Sequence, residues 1–412
     1  MFDVSFAAAA SLIRRHLFPR PPVSLPVWEA EGFVLAEPVE ALFDVPAQDV
    51  SLKDGFAVRA EDVARASPEA PVPLRLKGAV FAGEEARLRV GPGEAVRVTS
   101  GALLPPGADA VLAEEFAVVE GERVLALADA HPGRNVLSRG EDLRAGSLLL
   151  SAGTRLWPPD VGLLAAAGHT SVRVHPRPRV LVLATGDEIV PVGAPVTKGK
   201  VVASNLVTIY AWLKRFGLSV ATEIVPDRKD ALRETIERLF PSFDALVTSG
   251  GAWKGERDLI VRVLDDLGWQ KVFHRLRLGP GKALAFGLLD HRPVFCLPGG
   301  PPSNQAAFLL LALPGLLRLA GEEEPFPTLP ALLAREVCGE VSWTQVFFGR
   351  LKRCGNRLVF FPEKPKSRLQ YLSSAEALLL LPEGEGRIPP GAEVSVKIIK
   401  DEVLKAHAHH LP

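Results

Sequence analysis

Between residues 178 and 322 short apolar runs alternate with stretches whose apolar residues recur at helical spacing. Strands over 179–184, 219–225, 244–248 and 293–297 lead to helices over 204–216, 228–240 and 256–267 and to one starting near Ser303. That rhythm predicts an α/β domain with an open, mostly parallel sheet. The run FLLLALPGLLRLAG (308–321) is short and broken by Pro314, and reads as a buried helix. Ahead of this domain, residues 27–135 show short alternating runs split by Gly and Pro, with Glu120-Gly121-Glu122 as a hairpin turn, the pattern of a β-rich domain. Residues 4–17 read as a helix ended by the prolines of 19–26. Residues 136–177 hold short strands and a helix opening at Pro158 and Pro159 and closing at Gly168. Segments 1–26 and 136–177 are grouped as a helical/β linker domain. Past the linker GEEEPFPTLP, alternation returns in LVFFP, ALLLLP and VSVKII, which predicts a small C-terminal β-barrel over 323–400 and a flexible tail over 401–412. The fold class is therefore multidomain α/β plus β.

A chain of 412 residues exceeds one ordinary core, in keeping with several domains. Lys plus Arg (48) balance Asp plus Glu (48), so no broad field attracts nucleic acid or an anionic membrane, and neither is expected as a partner. Three cysteines without CxxC spacing exclude a disulfide scaffold and fit a reducing compartment. Cys296 reads as a packing residue in its strand. The N-terminus carries Asp3 and lacks a secretory pattern, and no apolar run reaches membrane-spanning length, which points to the cytoplasm. His407, His409 and His410 fall in the tail.

The candidate chemistry lies in the loops behind the predicted strands, TGDE (185–188), SGG (249–251) and LPGGPPSN (297–304). In an open α/β sheet such loops share a crevice at the carboxyl ends of the strands. Backbone N–H groups and helix N-termini there suit a phosphorylated ligand. Ser249 offers a hydroxyl, and Gly250 and Gly251 permit close backbone approach. Asp187 and Glu188 supply the oxygen ligands a divalent cation takes. Asp227 and Asp258 precede helices, where they are caps or ligands. Lys282, beside two glycines, is a phosphate or oxyanion anchor. No Ser-His-Asp arrangement is visible.

Seven stretches taken in order, DVSLKDGFAVRA (49–60), GEAVRVTSGALLPPGADAVLAEE (93–115), GRNVLSRGEDLRAG (133–146), RVLVLATGDE (179–188), VTSGGAWKGERD (247–258), GPGKALAFG (279–287) and FCLPGGPPS (295–303), resemble the molybdopterin molybdotransferase family, the bacterial MoeA type and the E domain of gephyrin. The resemblance covers about residues 5–400. It makes 178–322 a domain of the molybdopterin-binding type. It implies an enzyme that inserts molybdate into adenylylated molybdopterin with release of AMP, using Mg²⁺. It also implies a homodimer whose active site is shared between the α/β domain of one subunit and the β-rich domain of the other, with a molybdopterin adenylyltransferase acting upstream. Carried over position by position, it gives catalytic roles to Asp49, Asp142, Asp187, Glu188, Asp227 and Asp258, with Asp187, Glu188 and Asp227 at the metal. Thr99, Ser100, Arg139, Thr185, Gly186, Ser249, Gly250, Gly251, Lys282, Pro298, Gly299, Ser367 and Arg368 would bind the cofactor, Arg139 as a bidentate anion ligand. Ser374 is a further candidate near the C-terminus.

The chain departs from the family pattern at Val50 (Asn), Lys53 (Met), Arg228 (a second acid), Gly279 (Lys) and Gly300 (Asn). Arg275 or Arg277 could replace the lost lysine charge, and Ser303 or Asn304 the lost asparagine. These changes leave two rivals open. One is a diverged paralogue that binds molybdopterin or a related nucleotide without transferring metal, or that handles tungstate. The other is a module that delivers the cofactor to an apo-enzyme.

Overall fold

The structure, a computed structural model, describes residues 2–250, 259–363 and 368–400. It comprises two compact units, Met1–Val23 with His175–Pro412, and Ser24–Val174.

In the larger unit, β1 (Phe2–Ser5) and α1 (Phe6–His16) precede β2 (Arg179–Thr185), α2 (Ser204–Arg215), β3 (Ser219–Val225), α3 (Lys229–Leu239), β4 (Ala245–Ser249) and α4 (Leu259–Asp266). A long hairpin, β5 (Gln270–Gly279) and β6 (Ala285–Leu289), leads to β7 (Arg292–Leu297) and α5 (Pro301–Ala307). The sheet order is β3-β2-β4-β7-β6-β5, with β1 beside β5. β3, β2, β4 and β7 are parallel, whereas β7, β6 and β5 alternate in direction. Both faces are covered, and the side-chain alternation of a strand shows how. Val180, Val182 and Ala184 pack with Leu206, Ile209 and Leu213 of α2, while Leu181 and Leu183 pack with Leu232 and Ile236 of α3 and Ile260 of α4. A fully buried Leu or Ile stabilises by about 1.5–3 kcal/mol. Cys296 is such a core residue.

The first helix differs from expectation in both length and partner. Residues 2–5 form a strand paired with β5, and Ser5 caps the helix by accepting the Ala8 N–H at 3.1 Å. Val4, Ala9, Ile13 and Leu17 are buried in the core of the α/β sheet, so this segment belongs to the larger unit rather than to a linker domain with 136–177. The apolar stretch after α5 is continuous helix. Phe308–Ala312 form a π-helical turn that runs into α6 (Leu313–Arg318). Pro314 has no N–H to give the preceding turn, and the wider turn absorbs the missing bond.

The C-terminal strands are β8 (Thr328–Leu333), β9 (Thr344–Cys354), β10 (Arg357–Pro362), β11 (Ala377–Leu381) and β12 (Glu393–Ile398), with α7 (Arg368–Ser374) between β10 and β11. Their pairings, β9–β10, β10–β8, β8–β12, β12–β11 and β11–β9, close a ring around Leu333, Phe360, Leu379, Val396 and Ile398. β5 and β9 share a short parallel register, so the α/β sheet runs on into this barrel.

The smaller unit carries a six-stranded sheet in the order 117–120, 123–126, 72–80, 94–98, 55–58, 110–113. The first two strands join through Gly121 at φ 60°, the expected hairpin turn. Val27, Ala30, Leu35 and Val39 pack instead with Leu156, Leu164, Val172 and Val174. Residues 27–40 therefore share a core with 148–174 and lie outside the β-rich sheet, contrary to the 27–135 boundary. Among the described residues no helix is long and apolar enough to cross a membrane.

Candidate active site

β2 lies between β3 and β4, so the chain reverses its direction across the sheet there, and a crevice opens at the carboxyl ends of these strands. Four loops meet in it. Thr185 ends β2 and is buried, and its Oγ1 has no hydrogen-bond partner among the described residues. Gly250, at φ 104°, follows β4, and a Cβ there would lie 2.5 Å from the Thr185 carbonyl oxygen. Only glycine tolerates that φ and that approach together. The Gly250 N–H donates to Leu297 O at 3.2 Å, which joins this loop to the end of β7.

Two asparagines complete the stitching. Asn205 Nδ2 donates to Gly299 O at 2.8 Å and to Ser249 Oγ at 3.4 Å. Asn304 Nδ2 donates to Pro298 O at 2.9 Å and to the same Ser249 Oγ at 3.0 Å. Ser204 or Asn205, at the start of α2, is by residue type a candidate cap for it. The cap of α2 is Ala203, and no side chain serves it.

The acids converge in part. Asp187 Oδ1 accepts the Asp227 N–H at 3.1 Å, and Lys200 Nζ donates to Asp187 O. The Glu188 carboxylate folds back over Gly186, where a Cβ would lie 2.5 Å from Glu188 Oε2. The cap position of α3 is Arg228, with no side-chain cap bond, so Asp227 is not the cap. Among the described residues no three His, Cys, Asp or Glu side chains gather as a metal cage. Asp187 and Asp227 alone suit a cation that retains water and takes its other oxygens from a phosphorylated ligand, as Mg²⁺ does. Lys282 lies in the turn between β5 and β6, its ammonium 5.0 Å from the centre of the Trp343 ring.

In the smaller unit, the segments 49–54, 99–104 and 135–142 also come together. Leu104 N–H donates to Asp49 O, Gly101 N–H to Ser51 O and Leu52 N–H to Asn135 O. Ser100 N–H donates to Asp54 Oδ1 at 2.7 Å, and Thr99 Oγ1 accepts the Ala82 N–H at 3.1 Å. Asp49 Oδ1 accepts the Arg139 N–H at 2.8 Å, while the Arg139 guanidinium, 68% exposed, pairs with Asp44 at 2.7 Å. The Ala145 N–H and then Arg139 hold the Asp44 carboxyl below the usual carboxylate range. Asp142 is exposed beside them. In the barrel, Arg368 opens α7 and is exposed, and Ser374 donates to Glu363 at 2.6 Å, an internal contact. Gly251, Asp258 and Ser367 lie outside the described residues.

Residues 4–168 match the MoeA N-terminal region (domain I and II), and residues 181–318 match the probable molybdopterin binding domain. The chain is 31% identical to a molybdopterin molybdenumtransferase of Nostoc, over 90% of this chain and 87% of that one. It is 31% identical to the protein of that name from Bacillus subtilis, over 89% and 87%. A crystal structure of a molybdopterin biosynthesis MoeA protein from Pyrococcus horikoshii superimposes with a TM-score of 0.84 at 32% identity, covering 97% of this chain and 99% of that one.

The chain belongs to the molybdopterin molybdenumtransferase family.

The arginines do not replace the lysine missing at Gly279. Arg277 donates to Asp3 O and pairs with Glu383 at 2.9 Å, and Arg275 is buried 3.6 Å from the Asp3 carboxylate. The space at Gly279 is taken by Gln345, whose Oε1 would lie 2.9 Å from a Cβ. Gly300 caps α5 in ordinary backbone (φ −70°) with open space around it, and Asn304, inside the helix, turns its amide to Ser249 and the Pro298 carbonyl. Lys53 is exposed, its backbone bonded to Ser51 Oγ. Asn205 and Lys200 were missed as site residues. The only sequence signal for Asn205 was its place at the start of a helix behind the TGDE loop.

Proposed function

We propose that this protein is a molybdopterin molybdotransferase, which inserts molybdate into adenylylated molybdopterin and releases AMP. The observation that carries the reading is the meeting of Thr185, Asp187, Asp227, Ser249, Gly250, Pro298 and Gly299 at the ends of four parallel strands. The nucleotide's phosphates would lie against the hydroxyls of Thr185 and Ser249 and the backbone of the Gly250 and Gly299 loops. Lys282 would balance phosphate charge. Asp187 and Asp227, with Glu188 close by, would hold Mg²⁺, which when bound neutralises the phosphates. Molybdate is an oxyanion and suits the Arg139 guanidinium better than any carboxylate. A molybdate oxygen attacking the molybdopterin-side phosphorus would break the pyrophosphate bond with AMP as the leaving group, and the new oxygen bridge to the metal would break as the two dithiolene sulfurs take it, so no protein nucleophile is needed. Asp49, Asp142, Thr99 and Ser100 serve the same reaction from the smaller unit's loops, in a cytoplasmic homodimer supplied by a molybdopterin adenylyltransferase. Asp258, Gly251, Ser367 and Arg368 are kept as further ligand contacts.

The test is AMP release from adenylylated molybdopterin with Mg²⁺, with and without molybdate. The expected outcome is molybdate-dependent release that falls at least about 100-fold in Asp187→Ala. The uncompensated charge at Gly279 favours one alternative, a paralogue that binds without transfer. Tight nucleotide binding with no release under any condition would select it.

A further inference from the structure

Ser249 is held by two amides in one pattern, and that pattern determines the direction of its hydroxyl. Asn205 Nδ2 reaches Gly299 O and Ser249 Oγ, and Asn304 Nδ2 reaches Pro298 O and Ser249 Oγ. The carbonyls of Pro298 and Gly299 only accept, so each asparagine must turn its NH₂ toward them, which settles the amide orientation. The second hydrogen of each NH₂ then points to Ser249 Oγ. A serine hydroxyl has two lone pairs and one hydrogen, and both lone pairs are filled from the protein. Ser249 is buried, 6% exposed, and its hydroxyl hydrogen has no acceptor among the described residues. Next to it, the buried Thr185 Oγ1 also lacks a partner and lies 3.2 Å from the Cβ position of Gly250.

We infer that Asn205 and Asn304 are positioning residues that make Ser249 an obligate hydrogen-bond donor to the bound ligand, and so select an acceptor-only oxygen such as that of a phosphoryl group. The inference rests on the function proposed above and adds to it the residues that polarise the site. Each asparagine acts through Ser249, and each also ties the Pro298-Gly299 loop to the end of β4. A ligand presenting a hydroxyl donor at this point would face a hydroxyl that cannot accept, and would lose the bond.

The test is a double-mutant cycle on equilibrium binding of adenylylated molybdopterin to the full chain with Mg²⁺ and without molybdate. The proteins are wild type, Asn205→Ala, Ser249→Ala and the double variant, with the Asn304→Ala cycle run in parallel. Asn205 is only partly buried, so its cycle stands even if Asn304→Ala does not fold. Asn205→Ala is expected to weaken binding about threefold to tenfold, the size of one neutral hydrogen bond. In the Ser249→Ala background the same change is expected to cost clearly less, the remainder reporting the bond to Gly299 O. An equal loss in both backgrounds, or no loss in either, overturns the inference and leaves the function intact. A wild type that does not bind the nucleotide overturns the functional reading first, and this inference with it.

Discussion

The crevice of the larger unit and the loop cluster of the smaller one are both assembled from distant segments, but by different forces. In the crevice the bonds around Ser249 are neutral and reach into the interior: the Asn205 and Asn304 amides meet the Ser249 hydroxyl and the carbonyls of the Pro298-Gly299 loop, with the charged Asp187 and Lys200 contacts at the exposed rim. In the loop cluster the side-chain contacts are charged and largely exposed, Arg139 with Asp44 and Asp49, and Ser100 with Asp54. A buried neutral network is costly to disturb, because a lost partner leaves a polar group without water. An exposed ion pair contributes at most about 1 kcal/mol and is screened by salt. The first arrangement presets the geometry around a ligand, and the second supplies exposed charge that a ligand can recruit.

The comparison fails most plainly if the crevice tolerates bulk. Gly250→Ala is expected to lower stability by about 1–3 kcal/mol, from its positive φ and the clash with Thr185 O, and to abolish nucleotide binding. Thermal unfolding and binding check both, and wild-type behaviour would mean that the loop is not held as described. A smaller effect is expected in the loop cluster. Arg139→Ala should leave the unfolding midpoint nearly unchanged yet reduce molybdate-dependent AMP release about tenfold at low salt, with the difference shrinking as ionic strength rises. A salt-independent loss would place Arg139 in a buried role. The smallest effect concerns pH. The Asp44 carboxyl is held low in the folded state, so its contribution to stability is present above the usual carboxylate pKa and is lost as pH falls through the depressed value. The Ala145 amide proton, followed by NMR, should therefore titrate with a midpoint below the ordinary aspartate value. A midpoint at or above that value would show that the pair does not form in solution.

Much of the fold was legible because strand and helix periods are local. The parallel strands at 179–185, 219–225 and 245–249, the hairpin at Gly121 and the helix from Pro158 follow from runs a few residues long. The hairpin β5–β6 was not legible as two strands, because its Gly-Pro-Gly-Lys turn has the composition of a ligand loop. The N-terminal segment was misplaced for another reason. Its period shows an apolar face but not which core receives it, and β5, more than 260 residues away, was the answer. In the site, the loops were legible as Gly and Asp behind strands, whereas the role of Asn205 depends on acceptors 44 and 94 residues distant.

By itself the sequence determined where strands end in ligand-type loops, which acids and hydroxyls those loops carry, and that the chain resembles the molybdotransferases. Local spacing and residue chemistry are enough for that. The tertiary structure alone decided that Asn304 bonds Ser249 and the Pro298 carbonyl, that Arg275 and Arg277 are bound to Asp3 and Glu383, and that Ser249, among the described residues, has only a proton left to give. Hydrogen-bond saturation is a property of all the partners that packing brings together, and no single segment of the chain contains them.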